Sequence, residues 1–206
     1  MIDESAKPTS YPSERRRQRY ALGLFATEGG VPVADFFPSG QLPCSPTNSC
    51  GNECVESAKF LRCDADDSVN ELLYSEAGYT SSLPEELGFL SALTKVDIGG
   101  NLFNPGTLPP ELGAWTNVIS LNFSDTGLTI IPAWAASLTK LNELDISHNC
   151  FSTPGREGGT FPATFSSLTS LTSLIADNAC LAEQFPMVLL AMRSLQQLCL
   201  DTNKIR

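Results

Sequence analysis

Few residues in this chain could do chemistry: one histidine, seven cysteines and a surplus of carboxylates. Asp145, Ser147 and His148 make a hydrolytic triad on paper, with His148 relaying the proton. Extended backbone defeats that arrangement, because residues 145 and 147 share one face about 7 Å apart while 148 falls beyond the end of the strand. His148 is the sole histidine, so no second Ser–His or Cys–His pair and no imidazole metal site can form. Asp177 and Asp201 are expected about 5 Å apart, a separation retaining glycosidases use. An open strand face has no closed cleft to raise one of their pKa values, which leaves a solvated acidic pair or weak calcium binding. The residues therefore predict no enzyme, no cofactor and no catalytic metal.

Four cysteines, Cys44, Cys50, Cys54 and Cys63, crowd into a stretch rich in Pro, Ser, Gly and Asn. Two disulfides are the natural reading. Zinc is the rival, although only the gap between Cys50 and Cys54 fits the usual ligand spacing. Three connectivities are open, Cys44–Cys54 with Cys50–Cys63 among them. Disulfides imply an extracellular, cell-surface or luminal setting. The opening segment MIDESAKPTSYPSERRRQRY lacks an apolar core, so either the targeting signal lies upstream of this chain, the preferred reading, or the thiols are reduced in the cytosol. Arg15, Arg16, Arg17 and Arg19 read as a solvated helix start or as a contact to an anionic lipid surface.

The elements that would position these groups show in the composition. At 206 residues, with 42% hydrophobic, the chain can bury a substantial core, and no apolar run approaches the ~20 residues of a membrane helix. A net charge of -10 argues against nucleic acid as partner. That charge is uneven: residues 1–63 hold seven acidic and seven basic side chains, and residues 64–206 hold sixteen and six. A flexible segment 1–13, a helical and cysteine-bearing cap 14–68 and a repeat region 69–206 are expected.

The repeat region carries six segments that align without gaps: ELLYSEAGY, KVDIGGNLF, SLNFSDTGL, ELDISHNCF, SLIADNACL and QLCLDTNKI. Their leading apolar residues, Leu72, Val96, Leu121, Leu144, Leu174 and Leu198, are spaced 24, 25, 23, 30 and 24 apart. Each of the first five continues into an apolar residue followed by proline, from Leu83-Pro84 to Phe185-Pro186. The pattern resembles the plant-type leucine-rich repeat, LxxLxLxxNxLxGxIPxxLGxLxx. Before it, RYALGLFATEGG and the cysteines resemble the N-terminal cap of such proteins, with Ala58 where the family usually carries tryptophan. The resemblance implies a noncatalytic recognition module, as in secreted or receptor-like proteins of this family.

The physics of the repeat leads to the same architecture. In KVDIGGN a period of two sends Val96 and Ile98 inward and Lys95, Asp97 and Gly99 outward. One short parallel strand per unit, stacked with its neighbours, gives a right-handed curved α/β solenoid behind a helical, disulfide-bonded cap. The turn asparagine stands at Asn101, Asn149 and Asn203, but Ala77, Thr126 and Ala179 replace it in alternate units, whose backbone groups then need water or another partner. The sixth unit stops at Arg206 before any proline segment, which is expected of a fragment. Trp115 belongs to the core, whereas Trp134 stands on the convex side.

Outward columns define the expected binding face: Asp97, Asn122 and Asp145 in one, Asp177 and Asp201 in the next, Asp125 and His148 at the rim. Such an acidic concave face suits a basic or glycan-bearing protein partner; an acidic face kept for solubility is the plain alternative. A structural subunit of a larger assembly, touching a membrane only indirectly, is the second functional reading. STPGREGGT, inserted in the fourth unit, is a contact loop or a tolerated insertion. Cys150 and Cys180 stack in neighbouring units, within bridging distance or as two small buried thiols, and Cys199 is the odd one. Asn122-Phe123-Ser124 is a glycosylation sequon lying on the strand face.

Overall fold

The computed structural model describes residues 14–30, 32, 60–66, 68–153, 155, 158–182 and 185–206. Helix α1 (Glu14–Glu28) precedes strands β1 (Leu61–Cys63), β2 (Val69–Leu73), β3 (Lys95–Asp97), β4 (Ser120–Asn122), β5 (Glu143–Asp145), β6 (Ser173–Ile175) and β7 (Gln197–Cys199). A five-residue 3-10 helix separates each pair from β2 onward: Glu85–Phe89, Pro110–Ala114, Ala133–Ser137, Ala163–Ser167 and Met187–Ala191. Each begins directly after a proline, Pro84, Pro109, Pro132, Pro162 or Pro186. Proline's fixed φ sets the entry to the turn, and five residues are too few to propagate an α-helix.

The strands lie side by side in chain order, β2 to β7 parallel. Leu72, Val96, Leu121, Leu144, Leu174 and Leu198 are successive register partners, so the sequence spacing is the rung spacing. Each strand ends where the fourth residue after that position turns left-handed. Glu76, Gly100, Asp125, His148, Asn178 and Thr202 all have φ between 49 and 66°. Inward side chains of the turns from β2 to β6 merge into one buried core with Leu90, Trp115, Leu138, Leu168 and Met192 from the return segments. Each such side chain contributes roughly 1.5–3 kcal/mol on burial. Trp115 also donates its indole N–H to the Leu87 carbonyl at 2.8 Å, which satisfies its one polar atom inside the core.

The cap end departs from one parallel strand per unit. β1 pairs antiparallel with β2, Leu61 opposite Leu72, and so covers the first edge of the sheet. Helix α1 buries Ala21, Leu22, Phe25 and Ala26 against the first turn. Phe25 stacks on Tyr79 at 4.7 Å and meets Tyr74 edge-on at 5.5 Å. The buried Gln18 carbonyl accepts the Val69 N–H across 51 residues of sequence. Gly29 is required here, since a β-carbon on it would lie 2.0 Å from the Tyr79 ring. Residues 1–13, Cys44, Cys50 and Cys54 fall outside the described residues.

Each turn asparagine serves two turns, so the partner that the alternate turns need is the asparagine of the turn that follows. Asn149 Oδ1 accepts from the N–H groups of Thr126 and Leu128 and from the Thr126 hydroxyl, all in the preceding turn. Its Nδ2 donates to Phe123 O in that turn and to Ile146 O and Ser147 O in its own. Asn101 does the same for Ala77, Tyr79 and Tyr74, and Asn203 for Ala179, Leu181 and Ala176. At the intervening interfaces no side chain is needed: Phe103 N–H and Phe151 N–H donate to the carbonyls of Thr126 and Ala179. The solenoid therefore repeats every two turns.

Asn149→Ala leaves several buried backbone groups unpaired and should destabilise the chain by about 2–4 kcal/mol, read by denaturant unfolding against Thr129→Ala, an exposed residue, as control. Tyr79 supplies a pH signature. Burial, with a smaller push from Glu28, moves its phenol well above the ordinary tyrosine range, while its hydroxyl donates to Ser82 O. The folded state thus holds this proton more tightly than the unfolded chain, so its contribution is intact below about pH 10 and lost as pH rises beyond it. Stability should fall less steeply between pH 9 and 11 in Tyr79→Phe than in the parent; equal slopes would contradict the assignment.

Candidate functional site

The outward residues of β3, β4 and β5 form the floor of a trough of about 280 Å³ lined by Lys95, Asp97, Ser120, Asn122, Glu143 and Asp145, with Ser173 and Ile175 at one end. Strand register sets Asp97, Asn122 and Asp145 on adjacent rungs about 4.8 Å apart. Those three are brought together as the sequence predicts. Asp177 and Asp201 stand one column over, and Asp125 and His148 project from the left-handed rim. The column of Lys95, Ser120 and Glu143 stands outside the expected binding columns, although the period of two counted backward from Asp97 points to it. Lys95 gives the trough one cation among its carboxylates, and Ser120 donates to Glu143 at 3.0 Å.

One oxygen of each floor side chain is tied to the fold. Asp97 Oδ1 accepts from Gly99 N–H and from Asn122 Nδ2, the latter at 3.0 Å. Asn122 Oδ1 accepts from Ser124 N–H, and Asp145 Oδ1 from both the N–H and hydroxyl of Ser147. Asp177 Oδ1 accepts from Asp201 N–H of the next turn. These short-range bonds fix the rotamers and leave the second oxygens of Asp97, Asp145 and Asp177 oriented as acceptors. Gly99 makes the Asn122–Asp97 bond possible, because a β-carbon there would lie 2.9 Å from Ser124 Oγ and 3.0 Å from Asn122 Nδ2.

No triad forms. Ser147 spends its hydroxyl directly on Asp145, whereas His148, turned outward at φ 56°, meets Asn178 Nδ2 at 3.4 Å. Among the described residues no three His, Cys, Asp or Glu side chains are grouped to hold a metal. Cys150 and Cys180 form a disulfide with Cα atoms 4.8 Å apart, which decides between bridge and thiols, and Cys199 is free. Cys63 is disulfide-bonded, which takes it out of a zinc site.

No protein-family model matches the chain. The receptor-like kinase TMK2 of Arabidopsis thaliana is 25% identical over 140 residues, 68% of this chain and 15% of that protein. The PEPR1–AtPEP1 crystal structure superposes with a TM-score of 0.72 at 21% identity, covering 91% of this chain and 25% of its own. The plant peptide hormone receptor RGFR1 in complex with RGF2 is 30% identical with a TM-score of 0.58, over 66% of this chain and 21% of its own. The chain has the leucine-rich-repeat solenoid fold of these plant receptor structures. The chain spans a quarter or less of these relatives' length. Among the described residues no helix is long and apolar enough to cross a membrane.

The sequon is filled from within. Both polar atoms of Asn122 are bonded on the trough floor, and a glycan on Nδ2 would displace the Asp97 contact. Peptide mapping of chain secreted by a glycosylating host should find Asn122 unmodified; substantial occupancy in folded protein would contradict the placement.

Proposed function

We propose that the chain is a noncatalytic recognition module that holds an extended, basic segment of a protein partner along the trough of β3 to β6. The carrying observation is the set of carboxylates on the open strand face, each held through one oxygen by donors of its own or the next turn. Pre-set acceptors lose little side-chain freedom when a lysine or arginine arrives, which favours affinity. Their shared sign steers a cationic partner and repels an anionic one. The likeness to RGFR1, a peptide hormone receptor held in complex with RGF2, supports a peptide as partner. Two disulfide-bonded sites, Cys63 and the Cys150–Cys180 pair, support an extracellular setting. In this reading residues 14–68 act as the cap and 69–206 as the recognising repeats.

A subunit role is the second reading, favoured by one observation. Phe185, Met187, Leu190 and Leu198, four large exposed apolar side chains, all lie in the last turn. Burial of that turn in an assembly would place contacts there rather than on the trough.

A triple variant, Asp97→Asn, Asp145→Asn and Asp177→Asn, separates charge from structure, because asparagine keeps the Oδ1 acceptor each turn uses. Against a panel of extended lysine- and arginine-bearing peptides, the parent should bind at low salt. The variant should bind roughly tenfold more weakly, with a flatter salt dependence, as three partly exposed pairs allow. Equal affinity of parent and variant would move the site off the trough.

A further inference from the structure

We propose that the Cys150–Cys180 disulfide is a thiol-releasable latch that seats Gly158 and Gly159, which follow the fourth turn's strand, on the fifth turn without being needed for the solenoid itself. The inference is independent of what the trough binds.

Position comes first. Alternate turns carry a second left-handed residue after the rim, at Gly78, Gly127 and Cys180. Glycine takes that conformation freely, whereas a residue with a β-carbon does so only when its surroundings hold it there. At the equivalent interface two turns earlier, Leu102 lies over Gly127, where a β-carbon would approach Leu102 Cδ1 to 2.8 Å. Van der Waals contact suffices at that interface, so the bridge is an addition to the stack. The core beneath is closed separately, with Phe151, Leu174, Ala179 and Leu181 all buried.

What the bridge adds is the seating of these two glycines. Gly159 N–H donates to Cys180 O and Ala182 N–H donates to Gly159 O, a small parallel bridge outside the main sheet. Thr153 N–H donates to Gly158 O and closes the loop's stem. The seat is tight: a β-carbon on Gly158 would lie 2.4 Å from Cys180 O, and one on Gly159 2.4 Å from Phe151 Cβ. Both glycines therefore rest on the backbone of the one residue whose left-handed conformation the disulfide helps hold. Cys150 is exposed and Cys180 half-buried, so a reductant reaches the Cys150 sulfur.

The step balances with a dithiol reductant. Its thiolate attacks Cys150 Sγ, the Sγ–Sγ bond breaks, and Cys180 leaves as thiolate and takes a proton. The reductant's second thiol, losing its proton, then displaces Cys150, which is protonated in turn. Two electrons pass to the protein, and the reductant becomes a cyclic disulfide.

The test uses dithiothreitol as probe on the full chain, with differential alkylation and amide exchange read by mass spectrometry. Limited reductant should expose Cys150 and Cys180 to alkylation at least tenfold sooner than Cys63. In that partly reduced protein, and in Cys150→Ser with Cys180→Ser, the Gly159 and Ala182 amides should exchange at least tenfold faster, while Leu121, Leu144 and Leu174 keep their protection. Unchanged loop exchange would overturn the latch. So would loss of protection throughout the strands, since the bridge would then be holding the whole stack.

Discussion

The whole stack depends on closing the buried backbone at the bend that follows each strand. A leucine-rich turn is too short to satisfy its own N–H and C=O groups there, and an unpaired buried amide costs about 1–3 kcal/mol. Three asparagines close that deficit for six turns, because each reaches both its own turn and the one before. An asparagine side chain can do this where the alanines cannot, having an acceptor and two donors on one short planar group. Thr126 replaces asparagine with a hydroxyl that caps Phe123 O and leans on Asn149, so even there the asparagine completes the set.

Two consequences follow from the paired arrangement. Turns without asparagine free the next residue to adopt the left-handed conformation, seen at Gly78, Gly127 and Cys180, whereas Leu102, Cys150 and Lys204 follow the asparagines and do not. The lateral edge therefore alternates, and the Cys150–Cys180 disulfide joins an exposed residue of one kind of turn to a left-handed residue of the other. The strand face is set by the same geometry. The rim residue is left-handed in every turn, so Asp125 and His148 point away from the floor, and the trough is built by the strands alone.

Much of this was legible in the sequence because a solenoid maps chain period onto space. Leu72, Val96, Leu121, Leu144, Leu174 and Leu198 could be assigned as rungs from spacing, and the register agrees. So could the stacking of Cys150 on Cys180 and of Asp97, Asn122 and Asp145. Other features are tertiary and left no periodic trace. β1 pairs antiparallel through an edge that the repeat pattern does not include. The double service of the asparagines is invisible in a list of which turns carry one, since the missing residue looks like a gap rather than a shared partner. The direct Ser147–Asp145 bond comes from local turn geometry that strand alternation cannot reveal. Nor could spacing say which partner the trough takes, because fold and function are separable.

Amide exchange in Asn101→Ala reads the shared-asparagine arrangement most directly. If one asparagine closes two turns, the N–H groups of Ala77 and Tyr79, in the turn before the substitution, lose protection while those of Thr126 and Leu128, held by Asn149, keep theirs. Protection retained at Ala77 and Tyr79, with any loss confined to the substituted turn, would contradict it.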